Sequence, residues 1–82
     1  MVKEVIRAQR FIQQVKKLDG SLIERVQKLI IKIINDPEVG KPMRLDRKDT
    51  REVYLPPFRL SYSYNKEKDI LYLLEIYHKN EQ

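Results

Sequence analysis

The segment FRLSYSY, residues 58–64, alternates between large apolar and polar side chains. A period of two is typical of a β-strand that buries one face and leaves the other polar. The apolar face carries Phe58, Leu60, Tyr62 and Tyr64. The polar face carries Arg59, Ser61 and Ser63. We therefore predict a strand over residues 58–64 that presents an arginine on the polar side of a sheet.

The next apolar segment, ILYLLEIY over residues 70–77, is hydrophobic on both faces, which indicates a central strand. The polar residues Asn65–Asp69 separate the two segments and predict a hairpin. A five-residue loop places Tyr64 opposite Ile70, the first residue of the second strand. We favour it over a four-residue loop, which would place Tyr64 opposite Asp69. In the favoured register Arg59 lies opposite Glu75, and the two side chains would form an ion pair across the strands.

Two more segments have β-strand character. Val2–Ile6 contains valine and isoleucine and predicts a short strand near the start of the chain. Glu52–Leu55 predicts a second strand, which the pair Pro56-Pro57 interrupts before FRLSYSY begins.

Between these strands the apolar residues follow a helical period. The first stripe consists of Phe11, Ile12, Val15 and Leu18. Gly20 follows it and suits the left-handed position past a helix end. Ser21 then predicts an N-cap, with Glu24 as its capping-box partner, for a second helix over Leu22–Ile34 that Asn35-Asp36-Pro37 ends.

The predicted order is β-α-α-β-β-β. It indicates an α+β fold in which a helical hairpin packs on one face of an antiparallel sheet. A chain of 82 residues is long enough for one domain, and we expect that domain to span residues 1–82.

The composition excludes several kinds of covalent, catalytic and metal site. The chain contains no cysteine and one histidine, which excludes disulfides, thiolate zinc sites, cysteine nucleophiles and histidine-rich metal centres. We expect no metal and no small-molecule cofactor. No apolar run approaches the ~18 residues of a membrane span, so we expect no membrane association. The absence of cysteine fits a reducing cytosol, so we expect a cytoplasmic protein.

The formal charge of +5 indicates a polyanionic partner. Residues 40–51, GKPMRLDRKDTR, carry five cations against two acids. Candidate phosphate-binding residues in this run are Arg44, Arg47, Lys48 and Arg51. The alternative is a solvated face with local pairs to Asp46 and Asp49. The charge pattern does not distinguish RNA from DNA.

The small size, the basic charge and the order of elements resemble the RelE/ParE superfamily of type II toxin–antitoxin toxins. FRLSYSY is similar to the superfamily's penultimate-strand pattern of aromatic residue, arginine, apolar residue, any residue and tyrosine. GKPMRL, Gly40–Leu45, resembles the segment that leads from helix to sheet in the YoeB-like branch. Residues Ile76–Lys79 resemble the C-terminal tyrosine-histidine of that branch, so the RelE/YoeB-like branch is favoured.

The resemblance implies a microbial ribonuclease-type fold and one of two activities. RelE-like members are ribosome-dependent endoribonucleases, or mRNA interferases, that cut mRNA and inhibit translation. ParE-like members poison DNA gyrase without being enzymes. Both kinds are held inactive by a cognate antitoxin, so the implied partners are an antitoxin protein and the ribosome with its mRNA.

Cleavage of RNA without a metal needs a cation on the phosphate, a proton acceptor and a proton donor. The resemblance implies that Arg59 contacts the scissile phosphate and that His78 is the general acid. Glu52 and Glu75 are the acids near this surface, and either could be the base or could neutralise arginines. Tyr77 could stack on a base or pack in the sheet, and Lys79 is a further candidate RNA contact.

Two observations oppose this assignment. Strict alternation puts His78 on the face of Ile76, opposite to Arg59. Glu52 and Tyr54 also stand where some RelE-like members carry two lysines, and Met43 stands where YoeB-like members carry a glutamate base. A ParE-like gyrase inhibitor and a degenerate toxin that binds only its antitoxin therefore remain as alternatives.

We also expect a partner chain over the second helix. Its isoleucines at positions 30, 31, 33 and 34 are more than one helix face needs for the core. An antitoxin segment that packs on the domain would cover the surplus.

Overall fold

The structure is a computed structural model and describes residues 2–43 and 49–78. It contains two helices and five strands in the order β-α-α-β-β-β-β. The elements are β1 (Glu4–Arg7), α1 (Gln9–Lys16), α2 (Gly20–Asn35), β2 (Lys41–Pro42), β3 (Arg51–Leu55), β4 (Phe58–Asn65) and β5 (Ile70–His78). The predicted α+β class is confirmed, with β2 as a two-residue addition to the predicted order. No helix in the described residues is long and apolar enough to cross a membrane.

The sheet has the strand order β1-β5-β4-β3-β2 and is mixed. β1 runs parallel to β5, whereas β2, β3, β4 and β5 pair in an antiparallel manner. We predicted a wholly antiparallel sheet. The β1–β5 pairing differs from this prediction. Both helices lie in the sequence between β1 and the other strands, and a connection of this length permits parallel pairing.

The start of α2 also differs from the prediction. Asp19, not Ser21, is the N-cap, and its side chain accepts a hydrogen bond of 2.9 Å from the backbone N–H of Leu22. The Ser21 hydroxyl donates to the same carboxylate. Gly20 is the first helical residue and does not have a positive φ. A carboxylate at this position also interacts favourably with the positive end of the helix dipole, so the aspartate prevails over the serine.

The β4–β5 hairpin has a different register from the predicted one. Asn65 pairs with Ile70, so the loop contains four residues, 66–69. Two local contacts close it: the Asn65 side chain accepts from the Lys68 backbone N–H at 3.0 Å, and the Tyr64 hydroxyl donates to Asp69, which has a φ of 58°. These turn contacts replace the five-residue loop that we predicted.

A bulge between Ser61 and Tyr62 shifts the register again. Tyr62 pairs with Leu73, but Ser61 pairs with Glu75, so β5 contributes one extra residue at this point. Arg59 consequently lies opposite Tyr77, and the predicted Arg59–Glu75 register is wrong.

The core lies between the two helices and one face of the sheet. The fully buried side chains come from α2, β4 and β5; they are Val26, Ile33, Leu60, Tyr62, Leu71 and Leu73. Phe11 of α1 joins this cluster. In α2, Val26, Ile30 and Ile33 face the core, whereas Ile31 is 58% exposed, so part of the predicted apolar stripe points away from it.

Candidate functional site

The polar face of the sheet brings together residues from three neighbouring strands. Tyr54 of β3 lies opposite Arg59 of β4, and Arg59 lies opposite Tyr77 of β5. Directly opposite residues project on the same face of a sheet, so these side chains form one row. The adjacent row on that face is Glu52, Ser61 and Glu75. The face therefore contains three of the four residues that we predicted to be catalytic.

Glu52 links the two rows. Its side chain is only 8% exposed, and its Oε2 accepts a hydrogen bond from the Tyr77 hydroxyl. Its Oε1 lies 3.6 Å from NH1 of Arg59. A buried carboxylate needs such partners, because an uncompensated charge away from water is costly. Glu52 therefore fixes both the tyrosine and the arginine.

Arg59 differs from Glu52 in its exposure. Its side chain is 36% exposed, so the guanidinium is anchored on one side and open to solvent on the other. A planar fork of five N–H donors held in this way is suited to bidentate contact with a phosphate.

Glu75 and Tyr77 have other surroundings than those predicted. Glu75 lies next to Ser61 in the sheet and 3.8 Å from Nε of Arg10, which α1 contributes. Tyr77 is 9% exposed, and its hydroxyl is hydrogen-bonded to Glu52, which favours the packing alternative over stacking on a base.

His78 lies on the opposite face. It pairs with Phe58, and the two rings meet edge to face with centroids 5.6 Å apart. Arg59 is the next residue after Phe58 in β4, and Tyr77 is the residue before His78 in β5. Because successive side chains of a strand point to opposite faces, Arg59 and Tyr77 project to the other side. The conflict that alternation predicted is present, and the structure does not bring His78 together with Arg59.

The candidate phosphate-binding residues are described in part. Arg44, Arg47, Lys48 and Lys79 lie outside the described residues, as does Asp46. Arg51 lies at the start of β3, where its NH1 donates to the carbonyl oxygens of Glu38 at 3.1 Å and Gly40 at 2.8 Å. The structure therefore shows Arg51 holding the segment that leads from α2 to β2.

A cleft of about 570 Å³ adjoins Arg59. It is lined by residues of α2, the α2–β2 connection and the β2–β4 part of the sheet, namely Leu29, Lys32, Val39, Lys41, Met43, Glu52, Val53, Tyr54 and Arg59. Tyr54 is 54% exposed. Sequence reasoning did not select Lys32, Lys41 or Tyr54 as site residues. Lys32 could not be found from the sequence, because only the packing of α2 brings it near β3.

Comparison with known proteins gives a family match and a set of similar solved structures. A family model described as the ParE toxin of type II toxin–antitoxin systems, parDE, matches residues 2–82. No curated protein matches. Several solved structures are similar in fold, at sequence identities below 25%.

The RelBE2 toxin–antitoxin complex from Mycobacterium tuberculosis aligns with a TM-score of 0.85 and 21% identity, over 96% of this chain and 100% of that one. The YoeB/ParE toxin from Agrobacterium tumefaciens has a TM-score of 0.81 and 13% identity, over 92% and 96%. The isolated RelE toxin of E. coli has a TM-score of 0.77 and 17% identity, over 90% and 81%.

Because the family model covers residues 2–82, the chain belongs to the ParE toxin family. It is a toxin of a type II toxin–antitoxin system in the RelE/ParE superfamily. The resemblance deduced from FRLSYSY and the order of elements is confirmed at this level.

Proposed function

We propose that this toxin is an endoribonuclease that cuts mRNA on the ribosome and thereby stops translation. The observation that carries the proposal is Arg59, which is anchored by the buried Glu52 carboxylate and yet is 36% exposed beside a cleft. An anchored and accessible guanidinium is what a reaction needs when negative charge grows on a phosphate.

The reaction would use the ribose 2′-oxygen as nucleophile. Its attack on phosphorus forms a 2′,3′-cyclic phosphate and breaks the bond to the 5′-oxygen. Arg59 would donate hydrogen bonds to the non-bridging phosphate oxygens as their charge increases.

Glu52 would serve two steps. Before the substrate binds, it holds Arg59 in place. Once Arg59 turns toward the phosphate, the Oε1 of Glu52 can accept the 2′-hydroxyl proton, while Tyr77 still donates to Oε2. Since His78 lies on the other face, water would supply the proton to the leaving 5′-oxygen.

Affinity for the ribosome would come from the basic run. Arg44, Arg47, Lys48 and Lys79 remain candidate contacts to RNA phosphates, which bind through counterion release. The site of action would be the cytoplasm, where ribosomes translate.

The test is a cleavage assay on translating ribosomes. The purified toxin is added to a reconstituted translation reaction, and cuts in the mRNA are mapped by primer extension. We expect cuts with the wild type and with Arg7→Ala, which removes an exposed arginine of β1, but not with Arg59→Ala. Intact mRNA together with undiminished translation in the wild-type reaction would contradict the proposal.

A second candidate is inhibition of DNA gyrase, which the match to the ParE toxin model favours. Glu52, Tyr54 and Met43 also stand at positions where the resemblance implies other catalytic residues. A supercoiling assay with purified gyrase distinguishes the two functions. Inhibition of supercoiling with intact mRNA supports the gyrase inhibitor, and no effect in either assay supports a toxin that only binds its antitoxin.

We also propose an antitoxin partner for this chain. The RelBE complexes from E. coli and Mycobacterium tuberculosis are toxin–antitoxin complexes with the same fold. In this chain Ile31 is 58% exposed and Ile12 is 37% exposed. An antitoxin segment that covers the two helices would remove this apolar surface from water.

A further inference from the structure

We infer that the cleft beside Arg59 is a subsite for one nucleotide of a single-stranded nucleic acid, in which the base stacks on Tyr54 and Lys32 and Lys41 hold the adjacent phosphates. This inference rests on the proposed ribonuclease function and identifies further residues that bind the substrate. The residues that carry it come from three separate parts of the chain: α2, β2 and β3.

The position of Tyr54 follows from the sheet register. Tyr54 is the direct cross-strand neighbour of Arg59, so both side chains project on the same face. Tyr54 is 54% exposed, whereas the neighbouring Glu52 is buried. An exposed aromatic ring beside a phosphate-binding arginine offers a flat surface for a base next to the scissile phosphate.

The charge of the cleft favours an anion. Its lining contains the cations Lys32, Lys41 and Arg59 and one acid, Glu52. Glu52 is already in contact with Arg59 and with the Tyr77 hydroxyl. The two lysines therefore add positive charge that no acid in the lining of this cleft balances, which suits phosphates on either side of the stacked base.

The rest of the lining is apolar and suits a base better than a free phosphate ion. Leu29, Val39, Met43 and Val53 contribute this part of the cleft. The volume of about 570 Å³ lies within the range of about 300–1,000 Å³ that is usual for small-ligand sites. The combination of an aromatic ring, apolar walls and cations is the pattern with which proteins bind unpaired nucleotides.

The binding test uses a short fluorescein-labelled RNA oligonucleotide with 2′-O-methyl groups, which cannot be cut. Fluorescence anisotropy gives its Kd for the whole chain. We expect Tyr54→Ala to raise the Kd about tenfold, because a stacked base is lost, and Tyr54→Phe to keep the wild-type Kd. An oligonucleotide of the same length with abasic sugars should bind weakly and should not respond to Tyr54→Ala.

The lysines have a matched control on the same helix. Lys32→Ala should lower the slope of log Kd against log salt by about 0.7, the value for one phosphate contact on a single strand. Lys28→Ala removes an exposed lysine one helical turn away and outside the cleft, and it should leave the slope unchanged.

A direct reporter is available because the chain contains no tryptophan. In Tyr54→Trp the new indole is the sole tryptophan, and stacking of a base on it should quench its fluorescence as the oligonucleotide is added. The abasic oligonucleotide should not quench it. Melting temperatures of all variants show whether they are folded.

Several results would overturn the inference. These are a wild-type chain that does not bind the oligonucleotide, a folded Tyr54→Ala chain with an unchanged Kd, or equal competition by duplex DNA or a free mononucleotide. Failure of the proposed function would look different: binding would depend on Tyr54, but mRNA on the ribosome would stay intact. Conversely, cleavage that needs Arg59 but not Tyr54 would keep the ribonuclease and remove the subsite.

Discussion

Arg51 of β3 and Arg59 of β4 lie on opposite faces of the same part of the sheet. Each has a tyrosine as its cross-strand neighbour. On the helix-facing side, Arg51 is paired with Tyr62, and both side chains bind the backbone of residues 37–40. On the other side, Arg59 is paired with Tyr54 and touches Glu52. We call Arg51, Tyr62 and their backbone partners the clamp. We call Arg59, Tyr54, Glu52 and Tyr77 the face.

The partners of the two arginines show how their roles differ. In the clamp, Tyr62 is fully buried. Its hydroxyl donates to the Pro37 carbonyl oxygen at 2.8 Å and accepts from the Gly40 N–H at 2.8 Å. Arg51 donates to two carbonyl oxygens. These partners are backbone groups of residues 37–40, so Arg51 and Tyr62 stabilise the connection between α2 and β2. In the face, the partner of Arg59 is a side chain, so a phosphate can replace it.

The largest expected effect is on the proposed cleavage of mRNA, which would depend on Arg59 in the face. Arg59→Ala should lower the rate of mRNA cleavage about 10²–10³-fold, roughly 3–4 kcal/mol, because a preorganised donor to the phosphate is lost. Arg59→Lys should recover only part of the rate, since an ammonium cannot bind a phosphate in a bidentate manner. Single-turnover cleavage on ribosomes gives the rates.

A second variant separates catalysis from stability. Arg59→Ala leaves the buried Glu52 carboxylate without its cation and so lowers the melting temperature. Adding Glu52→Gln removes that charge and keeps an acceptor for Tyr77, so it should restore the melting temperature. Because Glu52→Gln also removes the proposed base, cleavage is compared in the single variant: a loss of cleavage in Arg59→Ala no larger than its loss of folded protein would mean that Arg59 has a structural role like that of Arg51.

The next effect concerns stability in the clamp. A Cβ at Gly40 would lie 2.7 Å from the Tyr62 hydroxyl oxygen and 3.0 Å from the Glu52 carbonyl oxygen. Because Tyr62 is fully buried and cannot move aside, Gly40→Ala should destabilise the fold by about 1–3 kcal/mol. Gly20→Ala is the control, since nothing lies within 4 Å of its Cβ position. Chemical denaturation measures both, and equal stabilities would show that the connection can relax.

Tyr62→Phe should have an effect of similar or smaller size. It leaves the Gly40 N–H and the Pro37 carbonyl without this partner, at a cost of about 1–3 kcal/mol. Burial raises the pKa of Tyr62, so its hydroxyl is protonated at neutral pH and can donate to Pro37. Tyr72→Phe in β5 is the control in the same denaturation experiment. Cleavage per folded molecule should not change in either variant.

The clamp and the face also show how far the sequence could lead. Alternation in FRLSYSY correctly predicted that Arg59 and Tyr62 point to opposite sides of a sheet, and the α+β class followed from the order of periodic segments. The pairing register of β4 and β5 could not be predicted from the sequence. It depends on the turn contacts of Asn65 and Asp69 and on a bulge that alternation cannot reveal.

The site could be predicted only in part, because its contacts depend on the same strand register. Arg59 and Glu52 were selected as single residues, but their contact depends on the β3–β4 register, and the predicted partner of Arg59 was Glu75. Arg51 was selected for its charge within a basic run, and charge alone does not show that its guanidinium binds two backbone carbonyls. Lys32 was not selected, because a helical lysine carries no local signal of what its helix packs against.

The smallest expected effect tests whether the clamp acts as a unit. Arg51→Ala should cost about 1 kcal/mol, because its hydrogen bonds to Glu38 and Gly40 are partly exposed to water. Arg51 and Tyr62 hold the same connection, so the double variant Arg51→Ala/Tyr62→Phe should be less destabilised than the sum, with a coupling of about 0.5 kcal/mol or more. Arg51→Ala combined with Arg59→Ala should instead be additive in stability, since the two side chains share no partner among those described. Denaturation of the four chains in each cycle gives both coupling energies. Coupling between Arg51 and Arg59, or a fall in cleavage per folded Arg51→Ala molecule, would connect the clamp to the face and assign Arg51 a role in binding RNA.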